Sequence, residues 1–158
     1  MPFEIDQSEH HYLAIEMNQQ VWALLGQAER DEKANRRMEH FALASMYHWH
    51  QSGKFKPVNA QRGHWLLSRV YAVLGQGNDA LDYARRCMGL TKELDLKGFD
   101  LAYAHEAMAR SLAALGDKDD AMDFHSQALA AGEGIAAEAD REYFASDLKA
   151  GPWFDLFV

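Results

Sequence analysis

An internal repeat is the feature of this chain that most constrains its fold. Residues 66–90 recur 41 positions later as residues 107–131. The identical pairs are Arg69/Arg110, Ala72/Ala113, Leu74/Leu115, Gly75/Gly116, Asp79/Asp120, Ala80/Ala121 and Asp82/Asp123. Each copy reads as an apolar helical run, a glycine turn, an acidic helix start and a second helix. Because one such hairpin cannot bury its apolar face alone, the repeat predicts hairpins that stack against one another.

The rest of the chain fits the same helical pattern. Hydrophobic residues make up 48% of it and charged residues 25%, and Pro57 is the one proline away from the ends. This composition predicts an all-α fold of seven helices whose short connections make neighbours antiparallel. Ser8 is predicted to be the N-cap of the first helix. We predict a single domain over residues 1–158, with hairpins over about 8–52, 59–94 and 99–132 and a capping helix and tail over 135–158.

A fixed pattern of residues recurs in both copies. The first copy reads His64-x2-Leu67-Ser68-x2-Tyr71 and then Ala80-x3-Ala84, and the second reads His105-x2-Met108-Ala109-x2-Leu112 and then Ala121-x3-His125. The pattern resembles the tetratricopeptide repeat, which has tryptophan in place of the first histidine and a period of about 34 residues. The extra seven or so residues are about two helical turns, so one added turn per helix keeps each face in register. The chain thus resembles a longer-helix, bacterial branch of that family. The resemblance implies a right-handed superhelix of three antiparallel hairpins with a C-terminal capping helix.

The resemblance also implies a function and a site. Members of the family hold a peptide or a partner helix in a concave groove, lined by the first helix of each hairpin. Carried over by position, the groove residues are Arg62, Trp65, Arg69 and Val73 in one copy and Tyr103, Glu106, Arg110 and Ala114 in the next. The arginines would bind an acidic segment bidentately, and the two aromatic residues would anchor it. The alternative is that Glu106 and the arginines pair with one another as solvated surface.

Charge and composition argue against several classes of protein. The formal net charge of −8 counts against a nucleic-acid binder. No apolar run is long enough to span a membrane, and the N-terminus does not read as a signal peptide. The single cysteine, Cys87, cannot form a disulfide framework. No phosphate loop, dinucleotide fingerprint or nucleophile motif occurs. We therefore expect a cytoplasmic, non-enzymatic module that binds a protein or peptide and needs no cofactor.

Eight histidines suggest a second possibility, a sensor that binds a metal ion or a small molecule. No H-E-x-x-H or E-x-x-H motif is present, so the usual zinc and di-iron signatures are missing. The strongest arrangement that the sequence offers places His48 with His64 or His105 across the groove. The other interpretation of His64 and His105 is packing, because they occupy equivalent positions of the repeat where an aromatic side chain packs.

The C-terminal tail is too apolar to stay in water. Its large apolar residues are Trp153, Phe154, Leu156, Phe157 and Val158. One interpretation is that Trp153 and Phe154 fold back onto the last helix as a lid. The other is insertion into a neighbouring subunit, which would give a homodimer or a larger structural homo-oligomer whose groove is filled by the tail.

Overall fold

Seven helices make up the fold. The computed structural model describes residues 2–158, which form α1 (Gln7–Leu25), α2 (Glu32–Gln51), α3 (Pro57–Val73), α4 (Gly77–Glu93), α5 (Gly98–Ala114), α6 (Lys118–Glu133) and α7 (Glu138–Lys149). The predicted all-α class and the seven helices are confirmed. Residues 2–158 contain no strand. In that same range no helix combines the length and the apolar character needed to cross a membrane.

The first helix begins earlier than predicted because Asp6, not Ser8, caps it. The Asp6 carboxylate accepts a hydrogen bond from the backbone N–H of Glu9 (2.9 Å), and the Glu9 carboxylate accepts one from the backbone N–H of Asp6 (2.8 Å). This reciprocal pair is a capping box. The Ser8 hydroxyl donates to the Asp6 carboxylate instead (2.6 Å), so the predicted N-cap is wrong.

The first helix of each repeat copy ends in the same turn. Gly75 and Gly116 adopt left-handed φ angles of 74° and 79°. The backbone N–H of the residue after each glycine donates to the carbonyl of Tyr71 (2.9 Å) or Leu112 (3.0 Å). This hydrogen bond closes a Schellman-type helix end, in which a side chain at the left-handed position is disfavoured. Backbone geometry therefore accounts for the glycine shared by the two copies.

The hairpins pack against one another in chain order. The helix pairs α1–α2, α3–α4 and α5–α6 form hairpins, and α2 contacts α3 while α4 contacts α5. The helices that begin the second and third hairpins also touch directly, since α3 contacts α5, and α5 in turn contacts the last helix, α7. Between α3 and α5 the buried hydroxyls of Ser68 and Ser111 lie 3.1 Å apart, so the two backbones approach closely. The helices α3, α5 and α7 thus form one continuous side of the stack.

The last helix and the tail cover part of that side. Helix α7 packs against α5 and α6. Beyond it, Trp153 and Leu156 are buried in the core of the same chain, 9% and 7% exposed. The indole N–H of Trp153 donates to the carbonyl of Leu148 at 2.9 Å. The tail thus packs as a lid on its own chain, with Phe154 partly buried against the core and Phe157 and Val158 exposed.

Candidate functional site

A buried ion network lies under α7 and the tail. At its centre is the carboxylate of Glu106 on α5, which is 1% exposed. Its Oε1 atom accepts hydrogen bonds from the guanidinium groups of Arg69 on α3 (2.7 Å) and Arg110 on α5. Its Oε2 atom accepts one from the indole N–H of Trp65 (2.7 Å). Charge-assisted bonds therefore satisfy a carboxylate that has almost no access to water.

Opposing effects set the pKa values in this network. Burial would raise the pKa of Glu106, but the charges of Arg110 and Arg69 outweigh it and hold that pKa below its usual range. Burial lowers the pKa of Arg110, and the charge of Glu106 opposes that shift. One carboxylate thus faces two guanidinium groups, so the network needs a second anion to be neutral.

Asp147 on α7 supplies the second anion. Its carboxylate accepts hydrogen bonds from the guanidinium of Arg69 (3.1 Å) and from the hydroxyl of Tyr103 (3.0 Å). Burial, with the charge of Asp147 added to it, raises the pKa of Tyr103, so this hydroxyl keeps its proton and remains a donor. Two helices of the repeat are in this way joined to the last helix.

Arg110 is joined to the tail as well. Its Nη1 atom donates to the carbonyl oxygens of Ala150 (2.8 Å) and Pro152 (3.0 Å), and its Nη2 atom donates to that of Asp147 (3.3 Å). The ring of Trp153 lies over the guanidinium, with 4.1 Å between Cζ and the ring centroid, a cation–π arrangement. Carbonyl groups of the last helix and the tail thus accept hydrogen bonds from the N–H groups of Arg110 that do not bind Glu106.

The structure brings the predicted groove residues together but buries most of them. The buried ones are Trp65, Arg69, Tyr103, Glu106 and Arg110. Val73 and Ala114 are half-buried, and Arg62 is exposed, with 58% of its side chain accessible. The expectation of free Arg69 and Arg110 side chains in the groove is therefore corrected, because Glu106, Asp147 and the tail carbonyls occupy their N–H groups. The alternative of mutual pairing with Glu106 describes them better, although the pairs are buried rather than solvated.

An open cleft adjoins the network next to α1. It has a volume of about 270 Å³, and we call it the aromatic cleft because its wall contains the rings of Trp22, Trp65, Phe99, Tyr103 and Tyr143. The rings come from α1, α3, α5 and α7. Since four separate helices contribute, the cleft exists only when the hairpins are stacked.

The rings of the aromatic cleft brace one another. Trp22 stacks on Trp65 with 5.5 Å between ring centroids, and Trp65 packs edge-on against Tyr103 at 4.9 Å. Phe99 lies 4.7 Å from Tyr103. Tyr143 is 54% exposed and lies at the mouth. Because Glu106 holds the indole of Trp65, the ion network positions the inner wall of the cleft.

Polar groups line one edge of the aromatic cleft. The guanidinium of Arg62 donates to both carboxylate oxygens of Asp100, at 2.9 and 3.2 Å. The buried amide of Gln61 donates to the hydroxyl of Thr91 (3.0 Å) and to the carbonyl of Asp100 (3.2 Å). Its oxygen has no hydrogen-bond partner among residues 2–158. This edge therefore offers donors and acceptors but little net charge.

Sequence reasoning found two of the five rings, Trp65 and Tyr103. Phe99 carried a usable signal, because it precedes Tyr103 by four residues and so shares its helical face. For Trp22 and Tyr143, the repeat offered no signal that would have placed them in the cleft. Helix α1 belongs to the weakly matching part of the chain and α7 lies beyond the second copy, so their placement depends on tertiary packing.

The histidines predicted as metal candidates do not converge. His64 stacks on an aromatic ring of α4 (5.9 Å between centroids) and His105 lies near one of α6 (6.2 Å), so each faces its own hairpin partner. The packing interpretation describes both. His48 has a different neighbour, His10, with 2.8 Å between their Nδ1 atoms. Within residues 2–158 no group of three or more His, Cys, Asp or Glu side chains is placed to hold a metal ion.

In comparisons with known proteins, no protein-family model, no curated protein and no solved structure matches the chain. The class of the protein therefore follows from the fold and the site alone. It is an all-α protein of packed helical hairpins that carries an aromatic cleft beside a buried ion network.

Proposed function

We propose that the chain is a non-enzymatic, tetratricopeptide-like binding module that holds a short apolar segment of a protein or peptide in the aromatic cleft. The observation that carries the proposal is the cleft itself, in which five rings from four helices surround about 270 Å³. Trp and Tyr are the side chains that most often anchor protein interfaces, because they combine a large apolar area with few rotatable bonds.

The size of the cleft supports a peptide side chain as its occupant. Sites for small molecules and cofactors usually measure about 300–1,000 Å³ and bury most of the ligand. At about 270 Å³ the aromatic cleft falls just below that range. One or two large apolar side chains of a partner suit this space better than a cofactor does.

The charge of the site limits the kind of partner segment that it can bind. Arg62 is the one exposed arginine of the predicted groove, and Asp100 already neutralises it. An acidic segment would have to displace Asp100, whereas an uncharged segment can use the donors and acceptors of the pair for its backbone. We therefore propose an apolar anchor as the main determinant of binding, in place of the acidic one expected from the arginines.

The proposal also retains the expectations of a cytoplasmic location and of binding without chemistry. Cys87 is the only thiol of the chain, and burial raises its pKa to about 12. At neutral pH it is thus protonated and enclosed, and a protonated thiol is a poor nucleophile. The strongest nucleophile of the sequence is thus unreactive in the fold, and it does not line the cleft.

The test selects binders from a random peptide display library and measures their affinities by calorimetry. Tyr143→Ala should weaken the selected peptides about tenfold or more, as loss of an aromatic anchor at an interface usually does. The matched control is Tyr47→Ala, because Tyr47 is also exposed (58%) but lies on α2, away from the cleft. This control should bind like the unaltered protein.

The selected sequences give a second readout. They should share an aromatic or large aliphatic residue and show no excess of Asp and Glu. The proposal is wrong if Tyr143→Ala leaves the affinities unchanged, or if the two tyrosine variants lose affinity equally. A set of strongly acidic binders without an apolar anchor would also contradict it.

A further inference from the structure

Two histidine rings face each other across the first hairpin. His10 on α1 and His48 on α2 are separated by 38 residues in the chain, yet their Nδ1 atoms lie 2.8 Å apart. The ring centroids are 5.0 Å apart, and both rings are half-buried. Within residues 2–158 each Nδ1 atom has the other as its hydrogen-bond partner. We propose that His10 and His48 bind a divalent transition-metal ion that links α1 to α2.

The separation of the two nitrogens matches one edge of a metal coordination sphere. Imidazole nitrogens bind such ions at about 2.0–2.1 Å. Two of them at right angles around the ion are then about 2.8–3.0 Å apart, and two at the tetrahedral angle about 3.3–3.4 Å. The observed 2.8 Å falls in the first of these ranges, and without a metal ion it is the length of the hydrogen bond between the rings, whose proton the ion would replace. Right angles are typical of Cu²⁺ and Ni²⁺, whereas Zn²⁺ prefers tetrahedral sites.

Negative charge near the pair also favours a metal ion. The carboxylate of Asp6 interacts electrostatically with His10 and adds negative charge beside the pair. A cation between the rings would thus have a carboxylate nearby.

The pair is set apart from the other histidines by its geometry. His11 hydrogen-bonds to the hydroxyl of Ser52 (3.3 Å), and His50 packs on Phe55 with 4.5 Å between ring centroids. Since no third His, Cys, Asp or Glu side chain of residues 2–158 joins the pair, the proposed site has two protein ligands, and water completes the coordination of the ion. Two ligands predict reversible binding, and the imidazole donors select Cu²⁺ and Ni²⁺ over Mg²⁺ and Ca²⁺.

The test is a calorimetric titration of NiCl₂ into the untagged full chain after chelator treatment, at neutral pH. We expect one Ni²⁺ ion per chain at saturation. His10→Gln and His48→Gln should each lower the affinity about tenfold or more, a loss of about 1.4 kcal/mol or more. The matched control is His40→Gln, which removes an exposed imidazole of α2. Zn²⁺ should bind more weakly than Ni²⁺.

Nuclear magnetic resonance of the unaltered protein provides a readout that does not depend on the folding of a variant. Paramagnetic Ni²⁺ should broaden the ring signals of His10 and His48 at lower concentration than those of the other histidines. The inference is overturned if His40→Gln loses as much affinity as His48→Gln, or if other histidine rings broaden first. Failure of this inference would not affect the proposal for the aromatic cleft, because neither His10 nor His48 lines that cleft.

Discussion

The side of the molecule formed by α3, α5 and α7 has a closed part and an open part. In the closed part, under the tail, Arg110 is 1% exposed and every charge of the ion network meets an opposite charge or a carbonyl oxygen. In the open part, Tyr143 is 54% exposed and rings line a cleft of about 270 Å³. Most of the charged residues of the predicted groove thus hold the helices and the tail together, whereas the rings form the wall of the open cleft.

Arg69 and Arg110 show how that division arises. They occupy the same position of the repeat, and both donate to Glu106. Arg69 then reaches the side chain of Asp147, whereas Arg110 reaches backbone carbonyls of the tail. The difference exists because α7 and the tail follow only the second copy. Identical residues at equivalent positions of a repeat therefore point to the same side of the array. At the end of the array, however, they contact different neighbours.

The largest expected effect comes from removing the centre of the closed part. Glu106→Gln leaves two buried guanidinium groups with one anion fewer. Breaking a buried ion pair in this way costs about 3–5 kcal/mol of unfolding free energy, because the remaining charge is uncompensated. Chemical denaturation measures the loss.

The control for this variant is Asp82→Asn, which breaks an exposed ion pair with Arg86 (3.0 Å, side chains 61% and 55% exposed). Exposed pairs contribute about 0–1 kcal/mol. Equal losses in the two variants would show that the network of Glu106 is solvated, and the contrast between the closed and the open part would be lost.

The next effect concerns the lid. Trp153→Ala removes a buried ring that covers Arg110 and should lower the free energy of unfolding by about 3 kcal/mol, the lower end for large aromatic deletions, because Trp153 keeps 9% exposure. Phe157→Ala deletes an exposed ring of the same tail (55%) and should change stability by about 0.5 kcal/mol. If both deletions cost the same, the tail does not close the network.

A smaller effect is expected on the opposite side, where His64 and His105 pack against the second helices of their hairpins. Burial lowers the pKa of both, so the folded protein holds fewer protons than the unfolded chain once the pH falls below the ordinary histidine value of 6.5. Stability is therefore full above that value and decreases as the pH falls through it. Glu106 acts in the same direction in a separate window, below the ordinary glutamate value of 4.5.

Replacing both histidines by phenylalanine should flatten the dependence of stability on pH between about 7 and 5, because two groups that gain protons on unfolding are removed. Denaturation at a series of pH values measures it. His40→Gln is the control, because it removes an imidazole that is exposed instead of packed. An unchanged slope in the double variant would mean that neither ring is buried in solution.

The helices were predictable from the sequence because local signals define them. Glycines at left-handed positions and acidic helix starts repeat in register, and apolar residues recur at helical spacing. The start of α1 was misplaced because Asp6 and Ser8 are both good N-caps. The pairing of Asp6 with Glu9 decided between them, and that capping box could have been read from the letters.

The state of the site was less predictable, because it depends on where α7 and the tail pack. The repeat indicated that Arg69 and Arg110 point to one side, and they do meet there at Glu106. It could not indicate that Asp147 would neutralise them, since no copy of the repeat contains α7. An arginine position carried over from a family predicts the side of the stack to which the side chain points. Residues outside the motif determine whether that side chain is exposed.

The smallest effect on stability, and the most informative one, is expected in the open part. Tyr143→Ala should change the free energy of unfolding by less than about 0.5 kcal/mol, because the ring is exposed. Peptide binding should nevertheless fall about tenfold. Trp153→Ala should show the reverse ranking, with a large loss of stability. Chemical denaturation and peptide calorimetry on the same two variants measure both quantities. If Tyr143→Ala destabilised the fold as much as Trp153→Ala, the cleft would be part of the core, and binding by its rings would have no support.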